Sequence, residues 1–96
     1  MYKIIIMAKK SADEELINNF EKNSLIHIET AANKKAMVGL IDAAELNEEP
    51  YNKIYELEFA TKHEMDLALA SAEGKKFSRS VPSFFQHISV FFTEYK

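Results

Sequence analysis

The sequence has no cysteine, which removes disulfides, a thiolate nucleophile and any cysteine-based metal site. Two glycines and two prolines in 96 residues leave no material for a glycine-rich phosphate loop or a disordered linker. Basic patches are missing too. Eleven of the twelve basic residues are lysines scattered along a chain of net charge −3, so no surface is set to neutralise phosphates and nucleic-acid binding is disfavoured. The run Ile4 to Met7 is too short for a signal-peptide core or a membrane span. The expectation is a cytoplasmic protein with no membrane partner. No nucleophile elbow and no metal-ligand spacing occur, and no cofactor is expected. What remains is 47% hydrophobic content, enough to fill one small core, so residues 1–96 are expected to form a single domain.

The clearest pattern runs from Pro50 to Tyr95. Side chains alternate across a strand, so between Lys53 and Phe59 the residues Tyr55, Leu57 and Phe59 share one face, and Ile54, Glu56 and Glu58 the other. Thr61 with Glu64 makes a capping box for a helix carrying Met65, Leu67, Ala68, Leu69 and Ala72. Gly74, followed by Lys75 and Lys76, reads as its C-terminal stop. Phe77, Val81, Phe84 and Phe85 then fall in a short irregular connection around Pro82. A last strand, His87 to Tyr95, has Ile88, Val90 and Phe92 on one face and His87, Ser89, Phe91, Thr93 and Tyr95 on the other. The expected core is Tyr55, Leu57, Phe59, Ile88, Val90 and Phe92, with Phe20, Met65 and Leu69 from the helices.

The first half reads less sharply. Tyr2 to Lys9 is a strand with apolar residues on both faces, which suits an interior position. Ser11 with Glu14 forms another capping box, and Leu16, Ile17 and Phe20 begin an apolar helical stripe. One long helix, kinked or straight, is expected to run to about Ala36, although Leu25 to Thr30 also has strand character. Gly39 is expected to close it, with a second strand over residues 39–46 and a polar loop over 47–50.

The resulting order, β-α-β then β-α-(short helix)-β, is the α+β, ferredoxin-like split βαβ sandwich: a four-stranded antiparallel sheet with helices on one face. Its other face would carry Ile54, Phe91 and Tyr95 into water, an apolar patch a small chain does not leave bare. A homodimer through that face, enclosing a cavity, is the expected remedy.

These stretches resemble the ethyl tert-butyl ether degradation (EthD) family of the dimeric α+β barrel superfamily. The resemblance lies in PYNKIYELEF, LALASAEGKKF, the Phe84-Phe85 connection and VFFTEY, and extends through KKAMVGL, covering about three quarters of the chain. It implies a dimeric barrel that handles a small molecule. The superfamily includes cofactor-free monooxygenases, cyclases and isomerase-like proteins. The family often has a histidine in the first helix, a place that His27 or Thr30 can fill here.

Three residues are candidates for proton chemistry. His27 carries an imidazole, the side chain most often used as general acid or base. Glu56 points away from the core set, where desolvation would raise its pKa; it fits equally well as an ion-paired charge that keeps sheets apart. His87 shares its face with Ser89, Phe91 and Tyr95, which together with Ile54 would line a ligand pocket or a dimer interface. Glu58 lies nearer the strand end, and His63 falls at a helix start. Two functions of different kinds follow: an accessory protein binding a small apolar or aromatic molecule, and a cofactor-free enzyme of monooxygenase, cyclase or isomerase type using a His or Glu for proton transfer. The sequence leans to the former.

Overall fold

The computed structural model describes residues 1–41 and 51–96. In chain order they form β1 (Tyr2–Lys9), α1 (Glu14–Phe20), a π turn (Glu21–Leu25), α2 (Ile26–Ala32), β2 (Met37–Leu40), β3 (Tyr51–Phe59), α3 (Lys62–Ala70), α4 (Ala72–Ser80), a 3-10 turn (Val81–Phe84) and β4 (Ile88–Glu94). The strands lie in the order β2-β3-β1-β4, all antiparallel. This is the expected α+β, ferredoxin-like arrangement, with β1 and β3 interior.

Alternation sets the faces. Opposite Ile4 and Ile6 of β1 stand Leu57 and Tyr55 of β3, and Phe92 and Val90 of β4. This face receives the helices, and Ile4, Ile6, Tyr55, Leu57, Phe59 and Ile88 are buried there against Phe20, Ile28, Met65 and Phe77. Phe92 has the expected parity but is 56% exposed, because the helical layer does not reach that corner of the sheet. Ile5, Met7, Ile54, Glu56, Ser89 and Phe91 occupy the helix-free face.

Several expected boundaries are corrected. Asp13, not Ser11, caps α1: its carboxylate accepts from the Leu16 N–H at 2.8 Å, while Ser11 turns to His87. The single long helix, kinked or straight, is found from Glu14 to Ala32 with a right-handed helical backbone across its joints, but a π turn replaces regular α geometry at its middle. The Ile26 N–H reaches back five residues to the Glu21 carbonyl, and this wide turn separates α1 from α2. Asn33 then ends α2 in the left-handed region (φ 55°), a conformation asparagine tolerates better than most residues. Gly39 therefore closes no helix and sits within β2. Residues 42–46 of the expected second strand, and the 47–50 loop, lie outside the described residues.

Thr61 and Glu64 cap α3 as expected, the Glu64 N–H reaching Thr61 Oγ1 at 3.2 Å. Gly74 is not its stop. Ser71 closes α3 and opens α4 at once, donating its hydroxyl to the Ala68 carbonyl at 2.6 Å and accepting from the Gly74 N–H at 3.1 Å. Serine at such a corner competes for backbone groups better than glycine can. Phe77 accordingly lies in α4 rather than in an irregular connection, and β4 begins at Ile88, one residue after His87.

Candidate functional site

The π turn places Glu21 where an unbroken helix would not. From the position after buried Phe20, its carboxylate reaches over the sheet to two groups on the core face of β3. The Tyr55 hydroxyl donates to Glu21 Oε2 at 2.5 Å, and the Lys53 ammonium donates to the same oxygen at 2.8 Å. Lys53 also stands over the Tyr55 ring, 5.2 Å from its centroid. Tyr55 is almost wholly buried, so its hydroxyl needs this partner; Lys53, at the strand end, lays its stem along the core and brings its charge to Glu21.

Glu21 and Tyr55 floor an open cavity of about 330 Å3 between the helical layer and the β2–β3 side of the sheet, which Lys22 also lines. Leu25, Ile26, Ala36 and Val38 supply apolar wall, and Glu21 and Tyr55 the polar end. Glu29 closes one side. Its Oε2 accepts from the Ala36 N–H at 2.7 Å, and its Oε1 lies 3.9 Å from the exposed Lys35 ammonium. Mixed apolar walls with a few convergent polar groups are what small-molecule sites offer, and π turns recur at such sites.

The cluster is electrostatically settled. Burial pushes the Glu21 carboxyl up, but hydrogen bonds from Lys53 and Tyr55 and the Lys53 charge outweigh it, leaving the carboxyl below its usual range. Burial, then the Glu21 carboxylate, drives the Tyr55 phenol far above its ordinary range. The signs follow from linkage. As pH falls below about 4.5, the unfolded chain binds the Glu21 proton first, so the stability from this group, whole above that value, is lost as pH falls further. As pH rises past about 10, the unfolded chain loses the Tyr55 proton first, so stability whole below that value is lost on the alkaline side. The stability advantage of wild type over Tyr55→Phe should therefore be constant near neutrality, at about 1–2 kcal/mol, and shrink above pH 10. Denaturant melts across pH check this; an advantage that grows with alkalinity would contradict the assignment.

The sequence-derived candidates fall elsewhere. His27 is on α2, with Nδ1 2.7 Å from Glu73 Oε2 of α4. That hydrogen bond, and then one from Lys76, holds the Glu73 carboxyl below its usual range. Thr30 donates to the Ile26 carbonyl. Glu56 lies on the helix-free face opposite Ile5, 3.3 Å from the Lys3 ammonium. His87 sits at the far end of the sheet, its carbonyl accepting from the Lys9 N–H and its Nδ1 2.9 Å from Ser11 Oγ. Four residues of β1 separate the levels of Glu56 and His87, about 13 Å at strand spacing, and β1 lies between them. The structure does not bring these three residues together. Ser89 is 3.4 Å from the Tyr51 hydroxyl, Tyr95 stacks under Lys3 at 5.0 Å, and Ile54 is half-buried and Phe91 44% exposed on the same face, with β1 between them. Among the described residues no group of three or more His, Asp or Glu is placed to hold a metal, and no helix is long and apolar enough to cross a membrane.

Sequence reasoning missed Glu21, Lys53 and Tyr55 as a set. A signal was present: tyrosine, rather than phenylalanine, at a core position demands a partner for its hydroxyl.

No family model and no curated protein matches the sequence. Solved structures do match. An EthD family protein from Bacillus halodurans C-125 superposes with a TM-score of 0.76 at 15% identity, covering 100% of this chain and 99% of that one. The chain shares that protein's fold. A protein from Arabidopsis thaliana matches with a TM-score of 0.64 at 19% identity, over 100% of this chain and 94% of that one. A dimeric protein of unknown function and ferredoxin-like fold from Bacteroides fragilis NCTC 9343 matches at 0.55 and 16% identity, over 98% and 95%. The EthD-like, ferredoxin-like architecture read from the sequence is thus the architecture found, and likeness at these identities is one of fold.

Proposed function

We propose that this chain is a one-domain homodimer that binds a small apolar or aromatic molecule and acts as an accessory protein rather than a catalyst. The observation that carries the proposal is the cavity of about 330 Å3 with apolar walls and Glu21 and Tyr55 of the cluster at its floor. General acid–base catalysis works best with a pKa near the operating pH. The cluster instead lowers Glu21 and raises Tyr55, which suits holding a ligand more than moving a proton. Titrating isotope-labelled protein with propylbenzene tests it: amide shifts should concentrate at Leu25, Ala36 and Val38. No saturable shift at any residue would refute binding.

The homodimer is proposed through the helix-free face. Ile5, Met7 and Ile54 are half-buried there, and Phe91 is 44% and Met37 72% exposed, an apolar surface of the kind that marks an interface. The dimeric Bacteroides fragilis neighbour supports the same reading. Ile54, Ser89, Phe91 and Tyr95, expected from the sequence as ligand-lining, would then line the space between two sheets. Light scattering at micromolar concentration should give twice the chain mass of 11.0 kDa, and Phe91→Arg should give the monomer. A wild-type monomer would overturn this interface.

A further inference from the structure

Two cavities meet along one face of α2. The cavity floored by Glu21 and Tyr55 shares Ile26, Glu29 and Lys35 with a second open cavity of about 390 Å3, whose remaining lining is Thr30, Asn33 and Lys34. Helical spacing explains the continuity. Ile26, Glu29, Thr30 and Asn33 stand at i, i+3, i+4 and i+7, which is one helix face, and Lys22 extends the row one turn earlier. At 1.5 Å per residue, Lys22 to Asn33 covers about 16 Å.

Glu29 lies low at the join. Its side chain is 13% exposed, with Oε2 accepting from the Ala36 N–H at 2.7 Å, and its carbonyl accepts from the Lys34 N–H at 3.1 Å. Ile26, 42% exposed, and the open Lys35 side chain flank the passage above it. The lining changes across the join. Leu25, Ala36 and Val38 make the near stretch apolar, whereas Thr30 and Asn33 bring hydrogen-bonding groups to the far stretch. Thr30 Oγ1 donates to the Ile26 carbonyl at 2.7 Å and keeps lone-pair capacity to accept, while an asparagine amide both donates and accepts.

We infer that the two cavities form one groove for an elongated amphiphile, with its apolar body over Leu25 and Val38 and a hydroxyl or amide end donating to Thr30 beside Asn33. This ligand class rests on the proposed binding function and specifies it. Three neutral probes test it by amide shifts: propylbenzene, 6-phenylhexan-1-ol and the methyl ether of that alcohol. All three should move Leu25, Ala36 and Val38, and only the two long probes should also move Thr30, Asn33 and Lys34. The alcohol should bind about eightfold tighter than propylbenzene, from three half-buried methylenes at about twofold each. Its ether has the same reach but no donor, and should bind about fivefold weaker than the alcohol, the size of one neutral hydrogen bond. Thr30→Trp, at an exposed position of α2, fills the far stretch and should bring both long probes within about twofold of propylbenzene. Long probes that bind no tighter than propylbenzene, or that leave Thr30 and Asn33 unmoved, overturn the single groove and leave the near site standing. An ether as tight as the alcohol overturns the donor end. Failure of all three probes overturns the groove and the binding function together.

Discussion

Phe20→Ala should destabilise the chain by about 3–5 kcal/mol, the cost of truncating a fully buried aromatic. Phe20 has no accessible surface. Its ring lies 5.8 Å from Tyr55 in a tilted arrangement and 5.3 Å from Phe84 edge-on, geometries that add to burial. The side chain thus joins α1, the sheet and the 3-10 turn through one ring. Losing it would also free the backbone that aims Glu21 at Tyr55, so cavity and core should weaken together. At roughly 4–8 °C per kcal/mol for a domain of this size, the melting temperature should fall by at least about 12 °C. A fall of only a few degrees would mean that Phe20 is not the joint described here.

Gly74→Ala should be destabilising by an amount at or above the top of the range of about 1–3 kcal/mol for overpacking. At an ordinary helical position the sign would be reversed, since alanine is favoured over glycine by about 0.5–1 kcal/mol. Position 74 differs because α4 starts against the end of α3. A Cβ there would stand 2.0 Å from the Ala68 carbonyl oxygen and 2.6 Å from that of Leu69. Both obstacles are backbone, so relief requires α3 and α4 to part, and the Ser71 corner holds them with its double cap. Gly39→Ala is the control. Among the described residues its Cβ would meet only the Ile54 Cγ2 methyl, at 2.9 Å, and a half-buried side chain can turn where backbone cannot. Circular-dichroism melts should rank Gly74→Ala well below Gly39→Ala; a stabilised Gly74→Ala would contradict the close approach.

Strand parity was legible because one face of each strand is buried, and a period of two survives whatever the tertiary context. Ile4 with Ile6, Tyr55 with Leu57, and Ile88 all face as their spacing predicts. How far the helices reach is not written in any strand, which is why Phe92 reads as core yet lies open. Helix ends were legible only in part. Thr61 announces itself through Glu64, but Gly39 and Gly74 each look like stops, while Asn33 and Ser71 do the stopping with side chains that read as ordinary polar surface. The site is the least legible feature. Glu21 reads as one of many exposed helical carboxylates, and only the three-dimensional return of β3 beside the π turn makes it the partner of Tyr55.

The π turn makes chain length, rather than side-chain identity, the variable that controls the cavity floor. Eight residues overshoot two turns of regular α-helix by about 80°, yet Phe20 and Ile28, eight apart, are both fully buried. The wide turn absorbs that excess. Removing one residue between them, Asn23 for example, would let the helix regularise with Phe20 and Ile28 seven apart, only about 20° short of two turns, so that both could stay buried while the wide turn that aims Glu21 is lost. Substitutions along the helix can grade the chemistry of the floor, whereas a single-codon insertion or deletion switches the floor on or off. In a lineage of this fold, gain or loss of the cavity would therefore be recorded as a gap in the helix rather than as a changed residue.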